Sequence, residues 1–344
     1  MIILTILLFS VFINSLLFVP FINLLYKLKF QRQNQKTKDA FEKPTPIFDR
    51  FHKSKVGIPI GAGLLMIFST TLFFPVMLLL MHYFFVPITQ VYQLDLEVKI
   101  IISTFLSFGM LGLFDDLKKT FTLNSNSFFG LRLRHKLIIE MIIAGIISTW
   151  LYADLHIEIF HIPFIGVIHL GPWYIPIAAL VIIAFCNAYN ITDGLDGLAG
   201  GVLMIALMAF LVISASILDT PLSIFIALWL GALLAFLYFN VYPARIMLGD
   251  VGALAFGATF AVVGLILGKT LALVVIGGVF VVEVASSLFQ LLSKKYLGRK
   301  LMAVAPLHLW LQLKEWPEPK IVMRLWLISI FFAAFGLWLA LLTH

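Results

Sequence analysis

Long apolar runs separated by short polar stretches dominate the chain. Ten of them lie near 3–26, 57–81, 98–114, 136–152, 173–190, 198–217, 222–240, 251–268, 271–292 and 324–342. Each approaches the roughly 20 residues that a helix needs to cross a bilayer. The pattern predicts an all-α polytopic membrane protein of about ten transmembrane helices, a single domain over 1–344. The stretch 251–292 is almost continuous, and Gly268-Lys269-Thr270 is the turn that divides it. Two polar segments, 27–55 and 293–323, read as loops, the second with Pro306, Pro317 and Pro319 limiting regular helix. Between them, 153–172 alternates polar and apolar residues around Pro163 and Gly166, which predicts a β-hairpin. The first run lacks a basic start and a small-residue cleavage site, so it reads as a retained helix.

Composition sharpens this picture. Hydrophobic residues make up 62% of the 344 and charged residues 12%, where soluble domains are about half apolar and a quarter charged. The net charge of +7 raises the question of nucleic acid, and its distribution answers it. Segment 27–55 holds nine Lys and Arg, 115–136 five, 241–250 one and 294–324 seven, which leaves only Lys99 and Lys269 elsewhere. These segments alternate along the chain, as the positive-inside rule requires of cytoplasmic loops. Both termini are therefore expected outside, and topology alone explains the basic balance. The single cysteine, Cys186, excludes an internal disulfide and a cysteine-rich metal site.

Five aspartates fall where these helices meet the basic face: Asp115, Asp116, Asp193, Asp196 and Asp250. Carboxylates beside hydrocarbon are costly and mark function by default. Asp115-Asp116 closes the third apolar run, and adjacent side chains on a helix diverge by about 100°, which suits two different tasks. Asn187, Asn190, Asp193 and Asp196 recur every third residue and are followed by Gly194, Gly197, Gly200 and Gly201. Gly249-Asp250-Val251-Gly252 leads into an apolar run. It reads either as a loop that approaches phosphate at a helix N-terminus or as a helix cap. Glu283 sits inside the ninth run, where packing against a polar partner and a part in a water-filled cleft are equally open readings. Lys55, Lys119 and Lys136 suit phosphate but also satisfy the positive-inside rule, and His308 follows Pro306 in the last loop.

Taken together, Asn187–Gly201, Asn240–Gly252 and Pro306–Trp326 resemble the polyprenyl-phosphate N-acetylhexosamine-1-phosphate transferase superfamily. Lys314-Glu315-Trp316-Pro317-Glu318-Pro319-Lys320 and Arg324-Leu325-Trp326 are similar to its muramoyl branch, as are His52-Lys53-Ser54-Lys55 and Gly130-Leu131 with Arg134-His135-Lys136. The resemblance covers nearly the whole chain. It implies ten helices, external termini and a cytoplasmic cleft in the plasma membrane. It also implies a Mg²⁺-dependent transfer of a sugar 1-phosphate from a UDP-sugar, UDP-N-acetylmuramoyl-pentapeptide in this branch, to undecaprenyl phosphate, with release of UMP. By the same resemblance Asp115, Asp116 and Asp250 are catalytic, and Asp250 and Asn187 hold the metal. Lys55, Lys119, Lys136, Asn187, Asn190, Asp193, Asp196, Asn240, Glu283 and His308 contact substrates, and the protein is a homodimer.

Three departures stand out. Where the branch usually carries three consecutive histidines, this chain has His308-Leu309-Trp310; Ile58-Pro59-Ile60-Gly61-Ala62-Gly63 replaces an early Thr-Pro-Thr-Met-Gly-Gly pattern; and Ala253 follows Gly252 where serine is common. The alternatives are a transferase for another UDP-sugar such as UDP-N-acetylglucosamine, a non-catalytic homologue, or an ion-coupled transporter. The last predicts midplane carboxylates and internal repeats, and the sequence shows no repeat.

Overall fold

A computed structural model describes residues 1–31, 45–121, 131–162 and 166–342. Gly130 of the motif, Pro163 of the hairpin and residues 32–44 of the first basic loop lie outside the described residues. The helices are α1 (Ile2–Lys27), α2 (Pro46–His52), α3 (Ala62–Tyr83), α4 (Leu94–Phe121), α5 (Leu133–Ala153), α6 (Tyr174–Thr192), α7 (Leu198–Ser216), α8 (Thr220–Asn240), α9 (Gly249–Ile266), α10 (Thr270–Ile276), α11 (Gly278–Tyr296), α12 (Leu307–Leu313) and α13 (Glu318–Leu341). Nine of the described helices are long and apolar enough to cross a membrane, or ten if the bent pair of α10 and α11 makes one span. The protein is therefore a multi-pass membrane protein.

The hairpin forms as the alternation predicts: β1 (Ile159–Ile162) pairs antiparallel with β2 (Gly166–His169). The division at Gly268-Lys269-Thr270 also stands, since α9 ends at Ile266 and α10 starts at Thr270. Two expectations need correction. The ninth run is not one helix, because α10 and α11 meet at Gly277 with a bend of 78°. A glycine pair, Gly277-Gly278, lets the chain kink there. The third predicted helix does not end at Asp115-Asp116. Leu117 through Phe121 continue the helix, and Lys118 and Lys119 in its last turn suit the negative end of the helix dipole.

Helices α8 and α9 are apolar on every side and are buried among the others, as helices without a polar face must be. Helix α9 packs on α4 and α6, and α8 packs on α1, α3 and α7. In lipid, such contacts come from close packing and polar links rather than from expulsion of water. A link of this kind joins α1, α3 and α8: Ser69 donates to Asn14 Oδ1 (2.8 Å), Asn14 donates to the Ser10 carbonyl (2.9 Å), and Ser10 donates to the Leu228 carbonyl (2.6 Å). At one position close packing sets the site itself. A Cβ on Gly112 would stand 2.1 Å from the Asp250 carbonyl oxygen, so only glycine lets α4 meet the start of α9. That contact brings Asp115 and Asp116 level with Asp250.

Candidate active site

The C-terminal ends of α4 and α6 and the N-terminal ends of α5 and α9 share one end of the bundle. A cavity of about 210 Å³ opens there, lined by Lys55, Asp116, Lys119, Asn190, Asp193 and Asp250 among the residues singled out in the sequence. His52, Thr120, Gly194 and Met247 complete much of its wall.

Asp115, Asp250, Lys119 and Lys136 form an alternating cluster. Asp250 Oδ2 lies 2.7 Å from Lys119 Nζ and 2.8 Å from Lys136 Nζ, and Asp115 Oδ2 lies 2.9 Å and 3.4 Å from the same two atoms. Helix geometry accounts for the first pair, since Asp115 and Lys119 are four residues apart on α4. Asp115 Oδ1 accepts a hydrogen bond from the Leu131 amide. Asp116 points differently, as adjacent helical positions must. Its Oδ2 accepts from the Val251 amide at 2.9 Å and so caps α9 from a neighbouring helix. Both carboxylates of the pair are almost wholly buried, at 2% exposure.

Asp193 ends α6 and lines the cavity, and no hydrogen bond or ion pair from the described residues reaches its carboxylate. Burial pushes its pKa up to about 7; Lys55 pulls the other way, while Asp250, Asp196 and Asp116 add to the rise. Around the cavity, four carboxylates (Asp115, Asp116, Asp193, Asp250) face the two ammonium groups of Lys119 and Lys136. The cluster therefore carries an excess of negative charge in a confined space, which a divalent cation would offset.

Beside it, the turn 193–197 is fixed from several directions. Lys55 Nζ contacts Asp196 Oδ1 (2.7 Å), Glu318 Oε1 (2.8 Å) and the Gly194 carbonyl (3.1 Å). The Asp196 amide donates to Glu318 Oε1 (2.6 Å), and Asp196 Oδ2 accepts from the Ala244 amide (3.0 Å). Asn240 accepts from the Gly197 amide (3.0 Å) and donates to the Ile246 carbonyl (2.9 Å), while Trp326 donates to the Gly197 carbonyl (3.1 Å). His52 Nε2 stands 2.8 Å from the Gly194 carbonyl.

Glu283 finds the polar partner that its burial demands. Its Oε2 lies 3.0 Å from His308 Nδ1, and its carboxylate also accepts from the His308 amide (3.2 Å). The ring then packs under the turn: a Cβ on Gly194 would meet His308 Nε2 at 2.5 Å. Asn187 lies deeper, outside the cavity lining, and donates its amide to Glu140 Oε2 (2.7 Å) and to the Ile183 carbonyl (3.0 Å). This leaves Oδ1 as its one remaining polar atom, an acceptor.

The structure thus gathers Lys55, Asp116, Lys119, Asn190, Asp193 and Asp250 at the cavity, with Asp115 and Lys136 beside them. Asp196 and Asn240 are drawn into the backbone of the turn, and Glu283 and His308 into its support. Sequence reasoning did not single out Glu318 or Glu140. Glu140 betrays itself only as an acid inside an apolar run. Glu318 sits in a quoted motif but looks like an ordinary first-turn acid at a helix N-terminus.

The fold and this cluster define a class: a polytopic membrane protein that gathers acids and lysines in a cavity at one end of its helices, as an enzyme handling phosphates would. A family model described as glycosyl transferase family 4 matches residues 98–268. The phospho-N-acetylmuramoyl-pentapeptide-transferase of Borrelia turicatae (strain 91E135) is 35% identical over 346 aligned residues, covering 95% of this chain and 92% of that protein. Its counterpart in Clostridium perfringens (strain SM101 / Type A) is 36% identical, covering 94% and 92%. That of Caldanaerobacter subterraneus subsp. tengcongensis is 33% identical, covering 92% and 91%. The chain belongs to the phospho-N-acetylmuramoyl-pentapeptide-transferase family.

Proposed function

We infer that this chain is a transferase that moves phospho-N-acetylmuramoyl-pentapeptide from its UDP-linked form to undecaprenyl phosphate. The products are lipid I and UMP, and the step belongs to peptidoglycan synthesis. The relatives' shared name over nearly the full chain supports the activity. The observation that carries the site is the convergence of Asp115, Asp116, Asp193 and Asp250 with Lys119 and Lys136 around one cavity. The distribution of basic loops supports a cytoplasmic position for that cavity at the plasma membrane, where a UDP-sugar is available. A homodimer is part of the same reading.

Both reactants are phosphates, so their mutual repulsion is the first barrier. We assign Mg²⁺ as the cofactor, held by Asp250 with Asn187 Oδ1. It would supply charge neutralisation at the diphosphate and at the departing UMP. A carboxylate and an amide oxygen are oxygen donors of the kind this ion takes. Among the described residues, no group of three or more His, Cys, Asp or Glu side chains forms a self-sufficient metal cage. Magnesium is commonly held by one or two carboxylates, substrate phosphates and water.

The rest of the work falls to the protein. Lys119 and Lys136 are held by Asp250 and Asp115 at the cavity, where their charge favours bound phosphate oxygens. We favour direct attack by the lipid phosphate. A phosphate monoester has its second pKa near 6, so at neutral pH it is mostly dianionic and needs little help from a base. Moreover, Asp115 has both oxygens engaged, by the Leu131 amide and by two lysines, and Asp116 caps α9. Asp115 is therefore not arranged as a free nucleophile. A covalent route through an aspartyl phosphate predicts exchange of labelled UMP into donor without lipid acceptor. Such exchange in lipid-free protein contradicts direct attack; its absence, with normal turnover once undecaprenyl phosphate is added, supports it.

A further inference from the structure

We propose that Glu318 is a positioning residue for the donor-binding side of the cavity, acting through Lys55 and the turn 193–197. The proposal rests on the transferase reading above. Glu318 opens α13, far in sequence from Lys55 and from Asp196, yet one of its oxygens serves both. Oε1 accepts from Lys55 Nζ at 2.8 Å and from the Asp196 amide at 2.6 Å. The side chain is largely buried, at 12% exposure, as are Lys55 at 10% and Asp196 at 4%.

Lys55 donates to Glu318 Oε1 and to the Gly194 carbonyl, and its ammonium also forms an ion pair with Asp196 Oδ1. With two carboxylates around one ammonium, this group carries no spare positive charge for a phosphate. Lys55 lines the cavity, but its donors brace the wall instead of reaching for substrate. What the brace fixes is the backbone from Gly194 to Asp196, directly beside Asp193, whose carboxylate faces the cavity. Without Glu318, the Asp196 amide loses its acceptor, and Lys55 keeps a single carboxylate and is free to swing. The effect at the cavity is a misplaced Asp193 and Gly194 rather than a missing charge. Buried, charge-assisted bonds of this kind are strong and geometrically specific.

The test uses the full-length protein in lipid nanodiscs and a double-mutant cycle of Glu318→Ala and Lys55→Ala, with Glu318→Gln as the conservative variant. The first readout is hydrogen–deuterium exchange over 193–197, which does not depend on turnover. Each single variant is expected to speed exchange there by about tenfold, and the double variant no more than either alone, because partners in one network are not additive. The second readout is steady-state UMP release. A positioning role predicts a donor KM raised about tenfold, an acceptor KM within about twofold of wild type and a kcat changed less than about threefold. Glu318→Gln keeps an oxygen acceptor and is expected to recover most of both effects.

Unchanged exchange in Glu318→Ala overturns the proposal, as does exchange in the double variant equal to the product of the singles. An equal fall in kcat for both substrates with no change in donor KM also overturns it, since that marks a merely structural loss. If Glu318→Ala does not fold, the comparison is made with Glu318→Gln and Lys55→Ala. Wild-type exchange over 193–197 in Lys55→Ala then counts against the proposal, and faster exchange in Lys55→Ala beside near-wild-type exchange in Glu318→Gln supports it. A wild-type protein without turnover would count against the assigned reaction, while the exchange data would still decide the brace.

Discussion

Lys136 and Lys55 each sit between two carboxylates at the same end of the bundle. Lys136 pairs with Asp115 and Asp250, and Lys55 with Asp196 and Glu318. The surroundings set them apart. The second network is tied to backbone at every corner, through the Gly194 carbonyl and the amides of Asp196 and Ala244. In the first, the Asp250 carboxylate meets the side chains of Lys119 and Lys136 and stands at the cavity with Asp116 and Asp193 beside it. Satisfied backbone partners make a fixed wall. Side-chain partners that a phosphate or a cation can replace make a site. On the proposed reading, the same two residue types serve architecture in one place and chemistry beside it.

The sharpest way to break this contrast is to remove one acid from each side. Asp250→Asn is expected to lower UMP release by about a thousandfold or more, the scale of losing a main electrostatic group, while the protein still inserts and melts cooperatively. Asp115→Asn is expected to abolish turnover as well. Near-normal rates in either variant would misplace the site. Gly112→Ala comes next. Its Cβ would collide with the Asp250 carbonyl, so we expect about 1–3 kcal/mol of destabilisation, as overpacking typically costs, and a large loss of turnover. A thermal melt and a UMP assay check both.

Asp116→Ala is expected to cost about 1 kcal/mol, the usual worth of a helix cap, seen as a lower melting temperature; Asp116→Asn, which keeps an oxygen for the Val251 amide, should hold most of that stability. Equal melting of the two variants would contradict the capping role. The smallest effect is expected from the paired change Leu309→His and Trp310→His, which restores the family's usual run. Leu309 is buried, at 1% exposure, so a histidine there costs stability but has little access to substrate, and turnover per folded protein and donor choice should change by less than about threefold. A switch in donor preference would make this loop a specificity element.

Much of the fold was legible in the sequence because lipid demands it. Ten apolar runs, the turn at Gly268-Lys269-Thr270 and the hairpin strands follow from length, alternation and breakers. The convergence of the acids at one end followed from the alternation of basic loops. What was not legible is informative. Asp193 and Asp196 look alike in a three-residue repeat, yet α6 ends at Thr192, and the turn sends one carboxylate to the cavity and the other to backbone. That Asp115 and Asp116 diverge is legible from helix geometry, but the capping of α9 by Asp116 depends on a contact between helices that no local pattern encodes. Glu318 and Lys55 are 263 residues apart. The bend at Gly277 hides in an unbroken apolar run, because hydropathy does not record direction.

The most direct test of the central claim is UMP release by purified protein with undecaprenyl phosphate, in Mg²⁺ and then in excess chelator. UDP-N-acetylmuramoyl-pentapeptide and UDP-N-acetylglucosamine are offered separately. The account predicts release with the pentapeptide donor alone, lost on chelation and restored by Mg²⁺. Release with the other donor only, or undiminished release in chelator, would contradict it.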